Sequence, residues 1–180
     1  MAPEVHRLRF RLPKGDLLAF EPGEFVTFYV PKGSATVTRS YSIASDPSET
    51  ARFELLVKRV EGGFVSTHLC GMSPGQELRM LGPLGKFTLR DPGDRTIIFA
   101  CTGTGVAPFV PMSRKLLRER PSQPVWVFFG ARTEPEVLCR TDLEATAEAH
   151  RTFHYVPTLS RPGPGWSGTT GHIESPIREH

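Results

Sequence analysis

The sequence predicts a two-domain fold, an antiparallel β-barrel followed by an α/β domain built on a parallel sheet. Three observations predict it. Up to about residue 90 the apolar residues alternate in short segments broken by Pro and Gly. After residue 95, apolar strand-like runs alternate with helical patterns, and Asp91-Pro92-Gly93-Asp94 forms a turn between the two regimes. The domains are accordingly drawn at 1–92 and 95–180. With 180 residues, 38% of them hydrophobic, the chain can bury two small cores.

The barrel rests on period-two segments at 5–12, 25–30 and 52–60, with punctuation at Pro13, Gly15, Pro22, Gly23, Pro31, Gly33, Gly62 and Gly63. A further strand carries Arg39-Ser40-Tyr41-Ser42. The second domain reads as strand 96–101, helix 105–119, strand 125–130, helix 141–149 and strand 152–157, the alternation that builds a parallel sheet. Ile97 to Cys101 form an unbroken apolar run, which reads as a strand buried on both faces. Val106, Phe109, Val110, Met112, Leu116 and Leu117 are spaced to line one face of the helix that follows. The last residues, 173–180, read as the start of another helix.

Composition excludes several function classes. The 22 basic and 19 acidic residues leave a net charge of +3, too balanced for a dedicated nucleic-acid binder. Arg114, Lys115, Arg118 and Arg120 make one helix locally basic, which reads as a solvated face. No apolar run is long enough to span a membrane and no signal-peptide pattern opens the chain, so a cytoplasmic location is expected. Cys70, Cys101 and Cys139 are too scattered for a metal or iron–sulfur ligand set, and the six histidines have no metal spacing; no metal site is expected.

The chemistry concentrates in a few runs. Thr102-Gly103-Thr104-Gly105 turns a strand into a helix, where small residues admit a ligand and first-turn N–H groups can meet a phosphate. An ordinary tight strand–helix turn has the same pattern. Arg39 and Tyr41 share one face of their strand, offering a cation and a flat ring to one groove while Ser40 points away; a salt-bridged Arg beside a core Tyr would look alike. Gly62-Gly63-Phe64-Val65-Ser66 repeats the logic of the glycine corner before a short helix, although Ser66 could simply cap it. Gly130-Ala131-Arg132 and Ser160-Arg161 follow the next two strands and stand on the same sheet edge.

Taken in order, Arg39-Ser40-Tyr41-Ser42, Val57-Lys58-Arg59-Val60 with Gly62–Ser66, Gly82-Pro83-Leu84-Gly85-Lys86-Phe87, Gly103–Phe109 and Pro157–Pro162 with Trp166-Ser167-Gly168 resemble the motifs of the ferredoxin–NADP reductase family. The resemblance covers nearly the whole chain. It implies an FAD-dependent oxidoreductase in which NAD(P)H gives hydride to flavin N5, with the rings stacked between the domains, and electrons pass to an iron–sulfur protein such as ferredoxin or an oxygenase component on another chain. It places Arg39 on a flavin phosphate, Tyr41 against the flavin and Ser42 within reach of N5, with Ser40, Val57, Lys58, Gly63, Phe64, Val65 and Ser66 completing the FAD site. A pyrophosphate at Gly63–Ser66 favours FAD over FMN.

On the nucleotide side the resemblance implies Thr102, Gly103, Thr104, Gly105, Ala107, Pro108, Gly130, Arg132, Ser160 and Arg161, with Ser42 and Thr104 nearest the reacting atoms. Ser160 beside Arg161 suits a 2′-phosphate and tilts the coenzyme towards NADPH, with NADH also open, since a second arginine common in relatives is replaced by Gly168-Thr169-Thr170-Gly171. The family's later Cys-Gly-Pro segment and C-terminal aromatic region are absent, as is one barrel strand ahead of Glu4. The expectation is therefore a chain truncated at the C-terminus, and at the N-terminus, with an incomplete nucleotide domain. Two alternatives remain open: a flavin-binding or electron-transfer module without NAD(P)H turnover, or a flavin reductase.

Overall fold

The computed structural model describes residues 4–179, which divide into two compact units, one ending at Leu89 and the other beginning at Arg90. In the first unit β1 (Val5–Arg11) pairs antiparallel with β4 (Arg52–Lys58). A second antiparallel sheet places β2 (Phe25–Lys32) between β3 (Ala35–Ser42) and β5 (Arg79–Leu84). An isolated bridge from Ile43 to Leu55 links the two sheets. Period two explains the core: on β2, Val26, Phe28 and Val30 point inwards and are buried, while Thr27 and Tyr29 alternate with them. Phe10 lies 5.0 Å from Phe28 and 5.3 Å from Phe53, centroid to centroid, and α1 (Phe64–Cys70) closes this core with Val65 and Leu69. Phe28 and Phe53 are fully buried, which contributes roughly 1.5–3 kcal/mol each, while Phe10 is partly buried. β4 stops at Lys58, two residues short of the expected end, and Arg59 and Val60 lie exposed ahead of the turn at Glu61 and Gly62.

The second unit is a parallel sheet of β6 (Ile97–Thr102), β7 (Val125–Ala131), β8 (Phe153–Leu159) and β9 (Thr169–Thr170), in that order. The fourth strand escapes sequence reading; the expected count is three. Two residues carry no periodicity, and only the register Thr158–Thr169 and Leu159–Thr170 defines them. Its helices are α2 (Phe109–Glu119), α3 (Arg140–Ala149) and α4 (Glu174–Glu179).

Two expectations need correction here. β6 is not buried on both faces: Ile97, Phe99 and Cys101 are buried, but Ile98 is 48% exposed and Ala100 and Thr102 are exposed too. The cover is one-sided. Phe99 stacks on Phe109 of α2 at 4.7 Å, while β6 is an edge strand paired only with β7 among the described residues. Nor does a continuous helix begin at residue 105. Gly103–Val106 form a 3-10 turn, and α2 starts only at Phe109, after Pro108 at φ −69°. Proline suits that position, since no N–H is needed ahead of the first turn. From there Val110, Met112, Leu116 and Leu117 are buried along one face, as their spacing predicts.

Candidate functional site

The residues of the expected site fall into two sets, one in each unit. In the first unit β3 carries Arg39, Ser40, Tyr41 and Ser42. The exposed Arg39 donates from Nη1 to the Thr38 carbonyl at 2.8 Å, and no carboxylate neutralises it among the described residues. Tyr41, half-buried, leans on Phe28 at 6.3 Å, and burial pushes its hydroxyl pKa up, so it stays a neutral phenol. Ser40 turns to the other face, where its hydroxyl pairs with Thr27 Oγ1 at 2.9 Å. Its side chain is therefore occupied away from Arg39 and Tyr41.

Below them, the loop after β4 enters α1 at Gly63. A Cβ on Gly63 would stand 2.7 Å from Ser66 Oγ, so only glycine lets the chain pass here without a shift. Ser66 is buried and is not the cap. Its hydroxyl accepts the Val60 N–H at 3.1 Å and donates to the Gly63 carbonyl at 3.3 Å, tying the loop to the first turn. The first backbone bond reaching back to Gly63 comes from Thr67, which leaves the N–H groups of Phe64, Val65 and Ser66 without helical partners. Val57 is fully buried and can offer only backbone, whereas Lys58 is exposed. A guanidinium that no carboxylate engages among the described residues, a half-buried phenol and a glycine-admitted run of N–H donors fit a flavin dinucleotide.

In the second unit the parallel register aligns Thr102 with Gly130 and Gly130 with Thr158, so the loops leaving β6, β7 and β8 emerge side by side. Gly103 has φ +52°, and nothing lies within 4 Å of where its Cβ would be; the turn itself demands glycine. Thr102, Gly103 and Gly105 are exposed, Thr104 is half-buried, and Ala107 and Pro108 are buried behind them. Two backbone bonds join the next two loops: Ser160 N–H to the Ala131 carbonyl at 3.0 Å and Arg161 N–H to the Arg132 carbonyl at 2.8 Å.

The charges on this edge show what sequence reading missed. Arg132 is held by Glu136, with Nη2 donating to Oε1 at 2.7 Å and Nε to Oε2 at 3.2 Å. Those bonds hold the Glu136 carboxyl below the usual carboxylate range. Arg140 pairs with both Glu134 and Glu144 and lies 5.4 Å from the Trp166 ring centroid. The four-residue spacing of Arg132 to Glu136, and of Arg140 to Glu144, was the available signal.

Residues 1–89 match the oxidoreductase FAD-binding domain and residues 99–180 the oxidoreductase NAD-binding domain. The chain is 42% identical to ferredoxin–NADP reductase B of Sorangium cellulosum, over 99% of this chain and 73% of that protein. The chain belongs to the ferredoxin–NADP reductase family. The chain thus carries the FAD-binding and NAD(P)-binding domains of an oxidoreductase, with the two-domain fold expected of it. It is also 34% identical to the reductase subunit of an aromatic O-demethylase from an Amycolatopsis species, over 89% of this chain and 49% of that one. The crystal structure of the Amycolatopsis cytochrome P450 reductase GcoB superposes with a TM-score of 0.86 at 30% identity, covering 97% of this chain and 53% of that one. The chain spans about three quarters of the first relative and about half of the other two. Among its described residues no helix is long and apolar enough to cross a membrane.

Proposed function

We propose that this reductase takes hydride from NADPH onto FAD and hands the electrons singly to an iron–sulfur protein, such as ferredoxin or an oxygenase component, on another chain. The observation that carries the coenzyme half is Ser160 with Arg161, just past the end of β8 on the same sheet edge as the glycine corner and one strand removed from it, where Arg161 meets no carboxylate among the described residues. A guanidinium next to a hydroxyl can grip a phosphate with paired hydrogen bonds. FAD, when bound, supplies the two-electron uptake and one-electron release. The chain's part is to bind and orient. Arg39 neutralises a flavin phosphate, the N–H groups of Phe64, Val65 and Ser66 receive the pyrophosphate, Tyr41 packs on the ring system, and Ser42 offers a hydroxyl near N5. Thr102 to Gly105, with Thr104 foremost, seat the nicotinamide end, backed by Ala107 and Pro108, and Gly130 lets the Thr102 and Ile173 side chains pack against the end of β7, where a Cβ would stand 3.1 Å and 2.9 Å from them. Arg132 stands at the sugar end.

The acceptor follows the relatives, one a ferredoxin–NADP reductase and another the reductase subunit of an aromatic O-demethylase. Anaerobic titration tests the whole reading. The purified chain reconstituted with FAD should be yellow and should bleach with NADPH, and ferredoxin should then restore the colour. A yellow protein that NADPH does not bleach would instead be a flavin-binding module, and one that releases free reduced flavin a flavin reductase. Failure to take up FAD at all would defeat the proposal.

A further inference from the structure

The sheet edge after β7 and β8 holds three arginines and three glutamates whose pairing is uneven. Arg140 engages Glu134 and Glu144. Arg132 engages Glu136 with two side-chain hydrogen bonds, and its own N–H donates to the same carboxylate at 3.1 Å. Arg161, whose backbone is bonded directly to that of Arg132, is left as the cation that no carboxylate engages among the described residues. We propose that Glu136 sets coenzyme selectivity: by clamping the Arg132 guanidinium it leaves Arg161 as the single cation open to the 2′-phosphate of NADP(H).

This rests on the reading of Ser160–Arg161 as the 2′-phosphate site. The chemistry is direct. A guanidinium forked onto a carboxylate has two of its five N–H donors occupied and its charge compensated, and a dianion approaching it would also face that carboxylate. Glu136 is well placed to hold the clamp. Its side chain is only 12% exposed while that of Arg132 is 55% exposed, so the acid is fixed and the arginine is the partner able to swing out. Its carboxyl, held below the usual range by Arg132, stays ionised across neutral pH. The resting state is therefore a site with one usable cation where two are built in.

Calorimetric titration of the full chain with 2′,5′-ADP and with 5′-AMP tests this without turnover. In Glu136→Gln the amide keeps an acceptor for the Arg132 N–H but loses the charge. 2′,5′-ADP should then bind about tenfold tighter, the order of one added charge-assisted hydrogen bond, with 5′-AMP unchanged. Adding Arg132→Ala to that variant should abolish the gain. An unchanged 2′,5′-ADP affinity in Glu136→Gln, or a gain that survives loss of Arg132, overturns the role of Glu136. Arg161→Ala separates this from the underlying reading. If it weakens 2′,5′-ADP but not 5′-AMP, the 2′-phosphate site stands whatever Glu136 does. If it weakens neither, that reading falls and the proposal with it.

Discussion

At the scale of single residues, Gly103 is the most constrained position on the nucleotide side. Its φ of +52° lies in the left-handed region, and no neighbour would touch an added Cβ. The cost of a side chain there is therefore backbone strain alone. Gly103→Ala should lower unfolding free energy by about 1 kcal/mol, and Gly103→Asn by less, since asparagine tolerates that region best among non-glycine residues; urea denaturation of both variants measures it. Cys101, two residues earlier on β6, is the opposite case. Burial pushes its thiol up to about 12, so at neutral pH it stays protonated and unreactive.

At the scale of elements, the turn expected to separate the domains is clasped to the end of α2. Asp91 Oδ1 accepts the Gly93 N–H at 3.0 Å and Arg120 Nη2 at 2.8 Å. These hold the Asp91 carboxyl below its ordinary value, the backbone bond first and the arginine second. A carboxylate whose pKa is depressed by folding contributes stability above its unfolded value, near 3.9, and loses it as pH falls through that value towards the folded one. Thermal melts between pH 6 and 2 should show Asp91→Asn with a shallower acid decline than wild type. The effect should be small, because the pair is exposed. The same clasp ties Arg120, at the end of the basic helix, to the turn while leaving its side chain 43% exposed, in keeping with a solvated face.

Legibility in the sequence followed the range of the determining forces. β2 and α2 could be read because local periodicity fixes which residues they bury. β9 could not, since two threonines become a strand only by pairing with β8. The one-sided burial of β6 was likewise hidden: an unbroken apolar run does not say which face a helix will cover. The site divided in the same way. Arg39 and Tyr41 share a face by strand alternation, but the capture of Ser40 by Thr27 depends on cross-strand register, and that of Arg132 by Glu136 on a turn that sequence reading did not place.

For the molecule as a whole, cofactor binding and folding are linked through the first unit. A ligand that binds only the folded chain, present at about 100 times its dissociation constant, stabilises it by about 2.7 kcal/mol. FAD should therefore raise the melting temperature in a saturable way, and Arg39→Ala should move that rise to higher FAD concentrations without altering the melt of the FAD-free chain, because Arg39 is exposed and, among the described residues, its side chain bonds only to the adjacent carbonyl. The second unit has a different consequence. Because Thr102, Gly130 and Thr158 stand level across β6, β7 and β8, the loops beyond them reach one edge yet share no residue. Selection can act on the loop after β6 separately from the two after β7 and β8, which backbone bonds tie to each other. A lineage descending from this chain could exchange one coenzyme for another by changes at 132, 136 and 161 and still inherit the Thr102–Pro108 corner unaltered.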